Sequence, residues 1–492
     1  MESYEKLVTE LKTLAKYGSA LSLLSWDEEV NLPARAHSYR GEVNALLSSD
    51  FHNRLTKQET YDLVAKLSEP GIFSGLSDDQ KTVVRETKRD LDMARKLPTE
   101  FVEKMSLLTT KAFGVWVEAR KKQDFALFAP ILEEMLAMKK REAELLGYKT
   151  SPYDALLDEF EPGMTTGSVD AVFKPLGQEL SKLIASVKSE PAVIAASNYP
   201  KAAQEVLSDR IARQLGYDMD AGRIDVSPHP FTISFHTTDV RVTTRYDETD
   251  FWVSLGSTIH EVGHGLYEQG LPEEHFGTPL GEAVSLGIHE SQSRSWENFV
   301  GRSRAFANYL HPVLTELFPG ISYSPEQLYR WLNRVRPNLI RVESDEVTYN
   351  MHIILRYELE KALIEGDLNV ADLPAAWNEK VKKYLGLDVP NDALGVLQDV
   401  HWSHGSIGYF PTYTLGNLYA AQFFNAAKKA LPDMEKDFAA GNFSGFLGWL
   451  RENIHSQGRR YTSAELVKKV TGEELNAKYL LDHLREKVAL AN

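Results

Sequence analysis

Two histidines, His260 and His264, stand four residues apart in the stretch Ser254–Gly270, SLGSTIHEVGHGLYEQG. On a helix that spacing stacks both imidazoles on one face, a turn apart, where they can meet one metal ion. Glu261, beside the first histidine, points along the same side and can reach a water on that metal. The full H-E-x-x-H pattern is that of zinc peptidases, in which the metal makes water acidic and the glutamate takes its proton. Such a site uses three protein ligands and leaves one position open. The chain contains no cysteine, so the third ligand must be His, Asp or Glu. Glu282, Glu290 and Glu297, on a helix expected to follow, are the candidates. With His289, Glu290 follows the small apolar run AVSLGI, which reads as a buried helix delivering a polar group inward. Spacing narrows the choice among the three and leaves it open.

The rest of the composition limits what else the protein can be. A chain of 492 residues, 43% hydrophobic and 25% charged, can bury a large core without disulfides or metal staples. Lack of cysteine excludes thiol nucleophiles and fits a reducing compartment. A formal net charge of −15 argues against nucleic acid or an anionic membrane as the main partner, since both need a basic face. The opening residues, MESYEKLVTELKTLAKYG, are amphipathic and of mixed charge, without the apolar core of a signal peptide. Nowhere do about 18 apolar residues run together. A cytoplasmic protein without a spanning helix is expected.

The elements that must hold the histidines are mostly helical. Leu7, Leu11, Leu14, Ala15 and Leu21 recur at helical spacing, and the pattern resumes after an interruption at Pro33. Further helices are expected at Thr60–Leu67, Asp78–Leu97, Thr99–Gln123 with Thr99 as cap, Phe125–Leu146, Ser168–Lys188 and Pro200–Gln214. The period changes in Asp225–Tyr246, DVSPHPFTISFHTTDVRVTTRY, which predicts two or three short strands just before the HEVGH helix. Gly270 is expected to end that helix in the left-handed conformation. A new helix is expected to start at Thr278-Pro279 and run through Glu282, Glu290 and Glu297. Helical patterns return at Ser324–Arg334, Pro337–Glu365, Asp372–Leu385, Leu415–Ala430 and Ser463–Ala489. There is no repeat and no linker. The predicted fold is mainly α: one domain over residues 1–492, a large helical body with a small sheet beside the HEVGH helix. Its N-terminal helical portion reaches about residue 220, and the sheet and metal-site portion follows from about 221.

Five stretches occur in a telling order: DVRVT (Asp239–Thr243), HEVGH (His260–His264), HESQ (His289–Gln292), IRVESD (Ile340–Asp345) and GVLQDVHW (Gly395–Trp402). Together with LLSWDEEVNLP near the start and FPTYTLGN at Phe410–Asn417, they make the chain resemble the carboxypeptidase Taq family of metallocarboxypeptidases over nearly its full length. One departure is Ser344, where the family pattern usually has Ala. The resemblance implies a helix-rich, saddle-like fold with a long active-site groove, and a homodimer. It implies one divalent metal held by His260, His264 and Glu290, with Glu261 catalytic. It also implies stepwise removal of C-terminal residues from peptides, with broad specificity and poor action on proline.

Roles for further residues follow from what the reaction needs. Glu261 would take a proton from water and later pass it to the leaving amine. His401, Tyr409 and Tyr413, in or near the HW…GYFPTY stretch, are candidate donors to the developing oxyanion. A free terminal carboxylate is best held by a guanidinium, for which Arg341 is the first choice and Arg241 the second, with Gln398 assisting. A salt bridge, for example Arg341 to Asp345 on one helix face, is the structural alternative. Metal histidines usually donate their other nitrogen to a carboxylate. One turn after Glu290 stands Arg294, so Asp239, Asp345 and Asp399 are the candidates for that partner. Zinc is the expected metal, and two histidines with a carboxylate also suit cobalt or manganese. The alternatives are an oligopeptidase cutting within short peptides and a non-catalytic peptide-binding scaffold. The complete set of His260, Glu261, His264 and Glu290 speaks against the scaffold.

Overall fold

The computed structural model describes residues 2–188, 192–194 and 198–492. Stretches rich in Leu, Ala, Glu and Lys form helices from Glu2–Val30 to Lys478–Ala491, as their periodicity requires. Glycine and proline set several boundaries. Gly216, at φ 98, ends the helix Lys201–Leu215, and Gly472, at φ 83, splits the expected C-terminal helix into Ser463–Thr471 and Lys478–Ala491. Thr99 is the first helical residue after Pro98 and makes no capping bond, contrary to its expected role. The expected helix Pro337–Glu365 begins only at Glu346, capped by Asp345, and is preceded by a 3-10 turn at Arg341–Glu343.

The sheet has three strands: β1 (Gly222–Val226), β2 (Thr232–His236) and β3 (Asp239–Thr244). β3 is central, parallel to β1 and antiparallel to β2, with an irregularity between Ser234 and His236. Its Val240 and Val242 are fully buried, which suits the middle position. The Thr244 hydroxyl donates to the carbonyl of Ser254 at 3.0 Å and so ties the sheet to the HEVGH helix. On the other side the helix Glu2–Val30 lies against β2, and Ser19 donates to the carbonyl of Phe235.

One large cluster of buried side chains runs from Leu108 to Val488 and includes Phe251, Trp296 and Trp377. A smaller one, Leu7, Val64, Leu67, Leu76, Val84 and Leu91, joins the N-terminal helices to each other. Full burial of such side chains stabilises by about 1.5–3 kcal/mol each, offset by conformational entropy. Among the described residues, no helix is long and apolar enough to cross a membrane.

Candidate metal centre

The HEVGH helix spans Phe251–Glu268 and starts at Asp250, whose carboxylate accepts from the backbone of Trp252. Phe251, Leu255, Ile259, Val262 and Leu266 sink one face into the core, which fixes the direction of His260 and His264. The helix closes at Gln269, and Gly270 does not take the expected left-handed conformation. Glycine is needed there for space, since a Cβ would lie 2.2 Å from Nδ1 of His455.

The glutamates do not share one helix. A 3-10 turn at Pro279–Gly281 is followed by extended chain, and a new helix, Leu286–Arg294, begins at a Ser285 cap. It continues as a π turn at Ser295–Val300. Contacts from distant parts of the chain hold the break. Glu161, fully buried, accepts from the backbone of Gly287 at 3.0 Å, while Glu282 turns outward to Arg459 at 2.9 Å. Of the three candidates only Glu290 lies against Nε2 of both histidines, while Glu297 meets the far nitrogen of His260. The HEVGH helix can approach this closely because residue 263 is glycine: a Cβ there would come within 2.6 Å of Cα of Ser293.

Nε2 of His260 and of His264 lie 3.7 and 3.4 Å from Oε2 of Glu290, and the three donor atoms all lie within 4.8 Å of one another. Ligands about 2.0–2.2 Å from a tetrahedral ion are separated by roughly 3.3–3.6 Å, so the donor set fits one divalent metal. The far nitrogens are engaged behind the cluster. Nδ1 of His260 donates to Glu297 at 2.9 Å, and Nδ1 of His264 meets Nδ1 of His289 at 2.6 Å. Burial raises the affinity of Glu290 for a proton, but Arg294 and His260 outweigh it and hold the carboxyl well below its usual range. Burial likewise opposes, and Arg294 and His260 overcome it, to bring Glu297 down to about 2. Burial pulls His264 down to about 3, so its nitrogen is a free lone pair at neutral pH. Glu261, 7% exposed, is pushed upward by burial, and the Thr232 hydroxyl of β2 lies 2.7 Å from its Oε2.

A second polar group surrounds Arg341. Its guanidinium is buried, pairs with Asp399 at 3.0 Å, reaches the hydroxyl of Tyr349 at 3.1 Å and lies 4.9 Å from the ring centre of Tyr413. Arg356, fully buried, binds the other oxygen of Asp399 at 2.7 Å. Two guanidinium groups thus share one carboxylate. His352 and His401 add no charge, since burial lowers both to about 3. The expected Arg341–Asp345 pair is absent because Arg341 is not on the helix that Asp345 caps. Gln398 accepts from the backbone N–H of Arg341 at 2.9 Å and donates to the carbonyl of Leu339, which fastens the turn. His401 and Tyr413 meet at 3.3 Å, and the Tyr409 ring centre is 5.3 Å from each of theirs for His401 and Tyr413. Burial, and then the charge of Glu290, push Tyr409 up to about 12, which links this cluster to the metal ligands. Arg241 is elsewhere: it pairs with Asp239 on its own strand and lies between the rings of Trp26 and Phe235, 4.4 and 4.9 Å from their centres.

Residues 6–488 match the model of the Carboxypeptidase Taq (M32) metallopeptidase family. The chain belongs to the carboxypeptidase Taq family. It is 40% identical over 493 residues to thermostable carboxypeptidase 1 of Pyrococcus furiosus, covering 99% of this chain and 98% of that one. It is 41% identical over 501 residues to thermostable carboxypeptidase 1 of Thermus thermophilus, with the same coverage. The crystal structure of the M32 carboxypeptidase of Deinococcus radiodurans superposes with a TM-score of 0.96 at 39% identity over the full length of both chains. As a member of this family the protein is a metallocarboxypeptidase, a hydrolase of peptide bonds.

In this carboxypeptidase the partners of the ligand histidines differ from those expected. Asp239, Asp345 and Asp399 pair with Arg241, cap a helix and hold two arginines, and none makes a hydrogen bond to His260 or His264. Glu297 reaches His260 instead, seven residues after Glu290 and on the same helical face. Counting two turns beyond Glu290 rather than one would have found it. Glu268 stands one turn beyond His264 on the same helix and His289 stands beside Glu290, so spacing could have marked both, whereas Thr232 and Arg356 are brought in only by packing between distant elements.

Proposed function

We propose that this carboxypeptidase removes residues one at a time from free peptide C-termini, with broad side-chain specificity, and that Glu261 is the general base. The convergence of His260, His264 and Glu290 beside Glu261 carries the reading. His260, His264 and Glu290 would hold one divalent metal, zinc by preference and cobalt or manganese as substitutes, and it would supply polarisation of water and of the scissile carbonyl. Glu261, raised by burial and hydrogen-bonded by Thr232, accepts the proton of the attacking water and returns it to the leaving nitrogen. His401, Tyr409 and Tyr413 form a cluster of donors for the oxyanion. Arg341 receives the terminal carboxylate, an assignment supported by the excess of one positive charge over Asp399 in a buried setting. Gln398 assists by holding the Arg341 turn, and Arg241 remains the second choice. Cytoplasmic peptides are the proposed substrates, the enzyme is proposed to work as a homodimer along a long groove, and the whole chain is read as one domain.

The test is a timed mass-spectrometric digest of one peptide with a free C-terminus and of its amidated twin, alongside metal analysis of the protein. A ladder shortening from the free end, with the amide almost untouched, is expected. Internal cuts in the amidated peptide at comparable rate would replace this reading with the oligopeptidase.

A further inference from the structure

We infer that Glu268 and His289 are a positioning pair that fixes the ring orientation and tautomer of His264 and, through it, the affinity of the metal site. The inference rests on the three-ligand reading and deepens it. Nε2 of His289 lies 2.8 Å from Oε1 of Glu268, and Nδ1 of His289 lies 2.6 Å from Nδ1 of His264. A carboxylate only accepts, so Nε2 of His289 carries the hydrogen that Glu268 receives. On the three-ligand reading Nε2 of His264 is kept for the metal, so Nδ1 of His264 carries the hydrogen and Nδ1 of His289 accepts it. Nε2 of His264 is then the lone pair that faces Glu290, 3.4 Å away. One carboxylate therefore sets two tautomers in series.

The two ligand histidines are held in different ways. His260 donates directly to Glu297, which is itself gripped by Arg294 at 3.1 Å. Among the described residues no carboxylate hydrogen-bonds Nδ1 of His264, which borrows one through His289. The relay is built rather than incidental: His289 packs 5.1 Å from the ring of Tyr267, with centroids 4.7 Å apart from His264, and both partners come from the same helix pair. Glu268 is the last residue of the HEVGH helix, one turn beyond His264, so the helix supplies both ends of the relay and Leu286–Arg294 supplies its middle.

Competition for zinc between the full chain and a fluorescent chelator tests this without reference to turnover. His289→Phe and Glu268→Ala are each expected to weaken zinc binding about 10–100-fold, the usual effect of losing an outer partner of a ligand. The double variant is expected to match His289→Phe alone, because both residues act along one chain, whereas adding Glu297→Ala should multiply the loss. The visible spectrum of the cobalt-loaded protein should change in His289→Phe. Glu268→Gln, which keeps an acceptor oxygen, should recover most of the affinity lost in Glu268→Ala and serves if the phenylalanine variant does not fold. Zinc affinities close to wild type in both single variants, or losses that multiply between Glu268 and His289, overturn the inference. A wild-type chain that binds no zinc overturns the proposed function as well, while tight wild-type binding with indifferent variants overturns the relay alone.

Discussion

Gly263→Ala adds one methyl group at the closest approach of the two helices that carry the ligands. The new Cβ would stand 2.6 Å from Cα of Ser293, 3.1 Å from the carbonyl oxygen of Gln292 and 3.2 Å from the nitrogen of Ser293. All three are backbone atoms, so no side-chain rotation relieves the contact. Carbon atoms rest at about 3.5–4.0 Å, and the helices must therefore part by roughly 1 Å. Overpacking of this kind costs about 1–3 kcal/mol of stability. The effect on function should be larger in proportion. Metal sites tolerate displacements of about 0.2 Å, and a 1 Å misplacement of reacting groups costs about 100-fold in rate, or roughly 2.7 kcal/mol. The assay is kcat/KM on a short peptide together with metal bound per chain. As a control, Gly448→Ala adds a methyl with no atom within 4 Å on the exposed side of the helix Ser444–Asn453. It should raise stability by about 0.5–1 kcal/mol and leave the rate alone. A Gly263→Ala enzyme with full metal content and a rate near that of wild type would refute the argument that glycine is there to let the helices meet.

Glu261→Gln should retain the metal and lose about 100- to 10,000-fold in turnover, read by metal analysis and single-turnover kinetics; near-normal activity removes Glu261 from its role. Arg341→Met should weaken kcat/KM for free-acid peptides about 10–100-fold, the worth of a charge-assisted hydrogen bond, and leave the residual rate on amidated peptides unchanged. An equal loss on both substrates would take the terminal carboxylate away from Arg341. Glu360, fully buried and accepting from Tyr153, Trp402 and Gly408, has its carboxyl raised by burial to about 7. A carboxyl raised in the folded state favours folding below its unfolded value near 4.5 and loses that contribution as pH climbs to about 7. Denaturant melts should therefore show stability falling across that window by up to about 3 kcal/mol, and the slope should flatten in Glu360→Gln. Parallel profiles for the two proteins would rule Glu360 out as the source.

What could be read in the chain and what could not divide along the range of the interactions. His260, Glu261 and His264 were visible because a helix repeats every turn, and the spacing alone stacks them. The strands beside them were visible as alternation, in the same way. Glu290 was one of three candidates until the break at residues 282–285 took Glu282 off the helix, and that break depends on Glu161, more than a hundred residues earlier. Arg341 was expected on a helix and sits on a 3-10 turn, since Gln398 fastens its backbone from a distant loop. His289 reads in sequence as a companion of Glu290, and its tie to Glu268 appears only once two helices are packed. Local periodicity fixes which side chains share a face; it does not say what the opposing face brings.

The shared carboxylate of Asp399 has a bearing on how the proposed cycle ends. Arg341 and Arg356 together exceed it by one unit of charge, and that unit is buried, beyond the reach of salt screening. On the proposed assignment the liberated amino acid would still hold its carboxylate against Arg341 after the peptide bond breaks, while the shortened chain would have acquired a new one of the same kind. Both fragments compete for a single anion seat. On that reading the free amino acid should act as a competitive brake that rising ionic strength relieves only weakly.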